Sequence, residues 1–287
     1  VQRAAELKVA ALAVTDHDTV SGLSKAAAAA RTHGIAFLNG VEITTCLDKL
    51  EVHVVGLGVS PESPRLRQLL DVLAQGRAER SRAIVDKLAS IGIVVAHDNV
   101  AARAADAVGR MHIAQELHEA GHVRSAQEAF DRYLRRGRPA YVERYRHPAE
   151  ESVQLVRRAG GLPVIAHPGL LNHDSAIGDL LRVGLGGLEA IHTDHTSRQI
   201  GHYTQMAERF GLIVTGGSDS HGPKGPKPVD IGQVEVPDSC AEALREWAEG
   251  TVAGPSQPPP NHLYFCGLLG ECVMKTIVCF GDSVTLG

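Results

Sequence analysis

Six short stretches set imidazole and carboxylate groups at the ends of apolar runs. "AVTDHD" carries Asp16, His17 and Asp18, "NGVEI" carries Glu42, and "EVHVVG" carries His53. "VIAHPG" carries His167, "AIHTDH" carries His192, Asp194 and His195, and "GGSDSH" carries Asp219 and His221. Imidazole with carboxylate is a donor set for Zn²⁺, Mn²⁺ or Fe²⁺, and the absence of cysteine from these stretches speaks against a structural zinc. So many such groups in one place would repel one another and lose hydration unless cations held them. Adjacent metals about 3.5–4 Å apart clamp a phosphoryl group and generate hydroxide at neutral pH, which is the chemistry of a phosphoester or amide hydrolase.

Each stretch alone has a plainer reading. "TDHD" suits a helix cap, Glu42 an exposed turn, His53 a satisfied core histidine, and His167-Pro168 a turn. What those readings leave unexplained is the shared phase, with every group following an apolar run. His33, His97, His118, His122, His173, His202 and His262 lack that context and read as surface residues.

The elements that must position these groups alternate. Residues 1–7 read as helix, 10–14 as strand, and 22–34 as a helix closed by Gly34. Residues 35–43 read as strand, turn, strand, and 51–58 as a strand. A long helix over 64–91 carries Leu66, Leu69, Leu70 and Leu73, then Ile84, Val85 and Leu88, with Gly76 weakening its middle. Residues 99–136 hold only helical patterns, and Ser125 with Glu128 fits a capping box. Helix 147–161, strand "LPVIAHPG", helix and strand through "LLRVGLGGLEAIHTDH", helix "RQIGHYTQMAERFG", strand "LIVTGGSDSH" and helix 239–250 follow. Strand–helix repetition predicts parallel strands with right-handed crossovers, in an open doubly wound sheet or a closed barrel. Chemistry at one end of several strands favours the barrel, and no GxGxxG follows the first strand.

The chain has 287 residues, 44% of them apolar, a formal charge of −4 and 15 histidines. It is long enough for one large α/β domain, or for one domain plus an appendage, and its charge argues against a scaffold holding nucleic acid by bulk charge. Five cysteines without CxxC spacing fit a reducing compartment, and no run is long enough to span a membrane, so a cytoplasmic location is expected. The first residues, "VQRAAELKVAALAV", read as the middle of a helix running into a strand.

The assembled residues resemble the polymerase and histidinol phosphatase (PHP) superfamily, and within it the stand-alone bacterial metal-dependent phosphoesterases. "TDHDTVSG", "GVEIT", "EVHVVGLG", "GRMHIAQELHEAG", "AFDRYLRRGRPAYV", "GGLPVIAHPG" and "TGGSDSHG" carry the resemblance over residues 1 to about 250. It implies an α/β fold: a distorted (β/α)7-type barrel with an all-helical insert. The barrel falls on 1–98 and 147–250 and the insert on 99–146. It implies two or three divalent ions (Mn, Fe or Zn) held by His17, Glu42, His53, His167, Asp219 and His221, with Asp16 and Asp18 supporting them. His195 is expected beside the substrate phosphate as the catalytic residue, and Arg110 and Arg138 as a phosphate clamp, because the guanidinium fork matches phosphate oxygens. The implied substrates are 3′,5′-bisphosphonucleotides or short RNA 5′ ends, cleaved by metal-bound hydroxide. A stable nucleic-acid complex and a membrane partner are not expected. The family opens with a His-x-His strand that this sequence lacks, so the barrel is expected without its first strand and activity is expected to be impaired. The alternatives are an inactive relic that binds metal or nucleotide, and an amidohydrolase-like metal hydrolase. The latter wants a lysine at a strand end, where Lys8 and Lys49 do not stand.

After residue 250 the character changes. A Pro-rich linker is expected over 251–273, and 274–287, "MKTIVCFGDSVTLG", resembles the start of a GDSL-type (SGNH) esterase with Ser283 at the nucleophile position. A serine nucleophile needs a histidine base and an oxyanion hole, so a fused or fragmentary reading frame is the expectation there.

Overall fold

A computed structural model of the chain describes residues 1–102, 108–222 and 229–250. The linker and esterase-like stretch expected over 251–287 lie outside the described residues, as does His262. The described residues divide into two compact units, 1–67 with 147–250, and 68–146.

The strands are β1 (Ala11–Val14), β2 (Ala36–Leu47), β3 (Leu50–Leu57), β4 (His147–Pro148), β5 (Leu162–Ile165), β6 (Gly187–His192) and β7 (Ile213–Gly217). Helices α1 (Gln2–Glu6), α2 (Leu23–Thr32) and α3 (Pro64–Ser90) come first. Then come α4 (His97–Ala102), α5 (Arg110–Glu119), α6 (Ala126–Ala129) and a π-helical turn at Phe130–Leu134. The last five are α7 (Ala149–Arg158), α8 (Pro168–Leu171), α9 (Ser175–Leu181), α10 (Ser197–Phe210) and α11 (Asp238–Ala248).

All strands belong to the first unit. They form a sheet in the order β1-β2-β3-β5-β6-β7, with β4 paired to β2. Six strands at about 4.8 Å spacing would hold the outer two about 24 Å apart in a flat sheet. Yet the rings of His17, just past β1, and His221, just past β7, are 6.1 Å apart. The sheet is therefore curled into a half-barrel that brings its two ends to one mouth. Trp247 of α11 is buried against Ala11, Leu57, Leu162 and Val164 and fills one face of the curl. Thr196 caps α10 by accepting the Gln199 N–H, and Gly211 ends that helix in the left-handed region, φ +64°.

The second unit is helical and has its own core of Ile84, Leu88, Val100, Ile113, Leu117 and Leu134. The predicted capping residue Ser125 does accept the Glu128 N–H, at 3.2 Å.

Two sequence expectations are corrected. Residues 36–47 form one continuous strand, not strand–turn–strand. Gly40 marks a close approach instead: a Cβ there would lie 2.5 Å from Thr15 Cγ2 and 2.7 Å from the Val14 carbonyl oxygen. The strands are also not all parallel. β3 runs antiparallel to both β2 and β5, because only Asp48 and Lys49 separate Leu47 from its partner Leu50. Asp48 takes φ +52° to make that tight hairpin.

Candidate metal centre

The centre begins with the register of β1 and β2. Val14 pairs with Asn39, and the same offset returns three residues later as a bridge between His17 and Glu42. The Asp18 N–H donates to the Glu42 carbonyl at 2.8 Å, and the Glu42 N–H donates to the Asp16 carbonyl at 3.1 Å. Asp18, at φ +54°, turns its carboxylate onto the Thr44 N–H at 2.7 Å. Asp16 and Asp18 are both buried, and these bonds fix His17 beside Glu42.

Across the hairpin, Thr44 faces His53 and Glu42 faces Val55, which makes Glu42 and His53 diagonal neighbours on one face. His53 Nδ1 lies 2.6 Å from Glu42 Oε1. Because β3 is reversed, its first half reaches the mouth that the parallel strands approach with their last residues. His167 follows β5 in a left-handed conformation, φ +32° and ψ +55°, and its Nε2 lies 3.3 Å from the same Oε1. His17 Nδ1 stands 3.8 Å from Oε2. One buried carboxylate is thus ringed by imidazoles from β3 and from the turns after β1 and β5.

The electrostatics follow. Burial alone would raise the Glu42 carboxyl, but His17, His167 and His53 hold it well below the usual carboxylate range. Burial would lower His53, yet Glu42 and then Glu51 push it up to about 10. His167 is raised against its own burial by Glu42. Asp219 is raised by burial and then by the charge of Glu42.

This donor set fits a divalent cation. The ligand atoms of His17, Glu42 and His53 lie within 4.8 Å of one another. His167 Nδ1 is buried without a hydrogen-bond partner among the described residues, and His53 Nε2 has the Glu51 carboxylate no nearer than 3.7 Å, a state that costs free energy unless something else engages them. His221 joins from the β7 side with its ring beside His17, and Asp219, at φ +48°, lies on the His192 flank.

His195 is placed differently. Its Nε2 accepts the Gly169 N–H at 3.0 Å and its Nδ1–H donates to the Ala190 carbonyl at 2.8 Å, so both ring nitrogens hold backbone. A Cβ on Gly169 would lie 2.7 Å from that ring, so the contact requires glycine. The arginines Arg110 and Arg138 belong to the second unit. Arg110 donates from Nη1 to the Leu134 carbonyl at 3.4 Å and stacks over Phe130 at 5.6 Å, whereas Arg138 is exposed.

Two buried groups of β6 also reach this region: His192, which the sequence offers only as one of the candidate groups of "AIHTDH", and Glu189, to which it gives no role. Burial first, then Glu42 and Asp219, push the Glu189 carboxyl up to about 7, while burial, His167 and His195 push His192 down to about 4. A carboxylate inside an otherwise apolar "GLEAI" run was the available signal.

A scan against protein-family models finds no match. Individual proteins do match. A 3′,5′-nucleoside bisphosphate phosphatase of Chromobacterium violaceum is 37% identical over 255 residues, covering 86% of this chain and 89% of that protein. A 5′-3′ exoribonuclease of Haemophilus influenzae is 34% identical, covering 78% of this chain and 84% of its own length. Among solved structures, a Bifidobacterium adolescentis protein described as a metal-dependent phosphoesterase superposes with a TM-score of 0.76 at 28% identity, covering 85% and 88% of the two chains. No finding supports the esterase resemblance of the last residues. Identity of this order over nearly the whole of a phosphatase, joined to a carboxylate ringed by histidines at the mouth of a half-barrel, shows that the chain belongs to the PHP-type metal-dependent phosphoesterases, hydrolases of phosphoric esters.

Proposed function

We propose that the chain hydrolyses phosphate esters of nucleotides, with 3′,5′-bisphosphonucleotides as the preferred class and short RNA 5′ ends as the second. The observation that carries this reading is the buried Glu42 carboxylate with His53 at 2.6 Å, His167 at 3.3 Å and His17 at 3.8 Å. The relatives support the choice of substrate: one is a nucleoside bisphosphate phosphatase and another an exoribonuclease.

In this reading His17, Glu42, His53, His167, Asp219 and His221 hold two or three divalent ions of the Mn, Fe or Zn type. When bound, such ions polarise a phosphoryl oxygen and lower the pKa of water. Glu42 and Asp219 offset the cationic charge, and the imidazoles give up their protons to become ligands. Asp16 and Asp18 keep the His17 turn in register with β2. Arg110 and Arg138 serve the substrate phosphates through paired N–H donors. His195, with both ring nitrogens on backbone, serves the site by holding the Gly169 turn.

The test is phosphate release from a 3′,5′-bisphosphonucleotide with Mn²⁺, alongside elemental analysis of the purified full chain. Wild type is expected to turn over, and Asp219→Ala and His221→Ala to lose at least a hundredfold in kcat with reduced metal content. Arg110→Ala is expected to raise KM more than it lowers kcat. Unchanged metal content and turnover in both ligand variants would show that the ligand set is wrong.

A further inference from the structure

β6 supplies none of the six proposed ligands, yet it lies between the two strands whose following turns carry His167 and Asp219. Both of those residues stand at positive φ, +32° and +48°, where a residue with a side chain does not rest without help. Glu189 Oε2 accepts the backbone N–H of His167 at 2.9 Å, and Glu189 is only 3% exposed. No basic side chain forms a hydrogen bond or ion pair with it among the described residues. His192 is 1% exposed. Its Nδ1 accepts the Asp194 N–H at 3.1 Å, so the neutral ring carries its proton on Nε2. That Nε2 has no hydrogen-bond partner among the described residues and sits 3.9 Å from Asp219 Oδ2.

In a regular strand, Glu189 and His192, three residues apart, would face opposite sides. They do not, because β6 is bulged. Glu189 pairs with Thr215 and Ile191 with Gly216, so Ala190 is an extra residue against β7. The bulge advances the side-chain phase by one and turns both groups to the same mouth. The Ala190 carbonyl it displaces is the one that His195 takes up.

We propose that the bulge in β6 makes Glu189 and His192 positioning residues, Glu189 accepting the N–H of the His167 turn and His192 setting its Nε2–H toward the Asp219 carboxylate across 3.9 Å, so that both turns present their side chains to the metal. The proposal rests on the metal-centre reading above. Outer partners that orient metal ligands are commonly worth ten- to a hundredfold in metal affinity.

The experiment measures Mn²⁺ affinity of the full chain by competition with a chromogenic chelator, with no substrate present. Glu189→Met and His192→Phe keep volume and remove the acceptor or donor, and each is expected to raise the Kd for Mn²⁺ at least tenfold. Glu189→Gln and His192→Gln keep an acceptor or a donor in place and are expected to stay within about threefold of wild type. Should a volume-keeping variant fail to fold, Glu189→Asp and His192→Asn withdraw the contact while keeping a polar group, and must show the same tenfold loss. A smaller rise in the contact-removing variants, or Gln variants that lose as much, overturns the proposal while leaving the metal centre standing. A wild-type chain that takes up no Mn²⁺ overturns the metal-centre reading and this inference with it.

Discussion

At Glu42 three imidazoles share one carboxylate, and the cost of that crowding falls on protons when no cation is bound. His53 is the clearest case: burial works against its charged form, but the contact with Glu42 overcomes it and lifts the group to about 10. A histidine whose pKa is raised on folding adds stability that is complete below its unfolded pKa, near 6.5, and is lost as pH climbs through the folded value. Glu42 has the opposite sign. Its depressed carboxyl adds stability above the usual carboxylate range and loses it only in strong acid. Chelator-treated protein should therefore lose a few kcal/mol of unfolding free energy between about pH 6.5 and pH 10. Urea titrations followed by circular dichroism at pH 6, 8 and 10 measure this. In Glu42→Gln the fall should largely vanish, because a neutral amide no longer holds the proton on His53. A wild-type profile that is flat from pH 6 to pH 10 would remove the His53–Glu42 contact as its cause. With metal bound, the same histidine must be neutral, so loading near pH 8 should release protons, which calorimetry in two buffers of different ionisation enthalpy reads directly.

Among the elements, β2 carries the most consequence. Its first half pairs with β1, its second half with β3, and Gly40 stands at the change of partner. A Cβ there would enter both the Thr15 methyl and the Val14 carbonyl, backbone that cannot step aside without moving Asp16 and His17. Gly40→Ala should destabilise the fold by about 1–3 kcal/mol, as overpacking does. It should also weaken Mn²⁺ binding, while Gly34→Ala, with no neighbour within 4 Å, should cost stability through φ +69° alone and leave the metal site intact. Equal metal affinity in the two variants would contradict the link from β2 packing to His17. Gly40 also shows what the sequence does not disclose. A glycine inside a strand reads as a turn or as a close approach according to a neighbour 25 residues away, and periodicity carries no trace of Thr15. The strand ends themselves were readable, because apolar runs stopping at His, Asp or Glu fall where β1, β5, β6 and β7 finish. The reversal of β3 had a signal in the two-residue Asp48-Lys49 connection between strand patterns. The bulge at Ala190 had none. Without it the phase of "LEAIHTDH" cannot be assigned, so the sequence does not show that Glu189 and His192 share a face.

On the scale of the molecule, every proposed ligand lies in the unit of residues 1–67 and 147–250, and the second unit contributes none. The ligands come from both ends of the sheet order, so an ion bound between them ties β1 to β7 in addition to whatever the packing of Trp247 supplies. Binding to the folded state alone stabilises it by about 2.7 kcal/mol when free metal is a hundred times its Kd. For a unit of this size, that corresponds to a rise of roughly 5–10 °C in Tm. Calorimetry of the full chain with chelator, then with increasing Mn²⁺, should show such a concentration-dependent rise. If the two units melt separately, only the transition of the first should move, since the helical core around Ile113 and Leu117 lies in the unit that holds no ligand. Glu42→Gln should remove most of the shift, and Arg110→Ala, in the second unit, should leave it unchanged. An Mn²⁺-induced rise of equal size in Glu42→Gln would place the ion somewhere other than at the ringed carboxylate, and would separate the stability of the half-barrel from its chemistry.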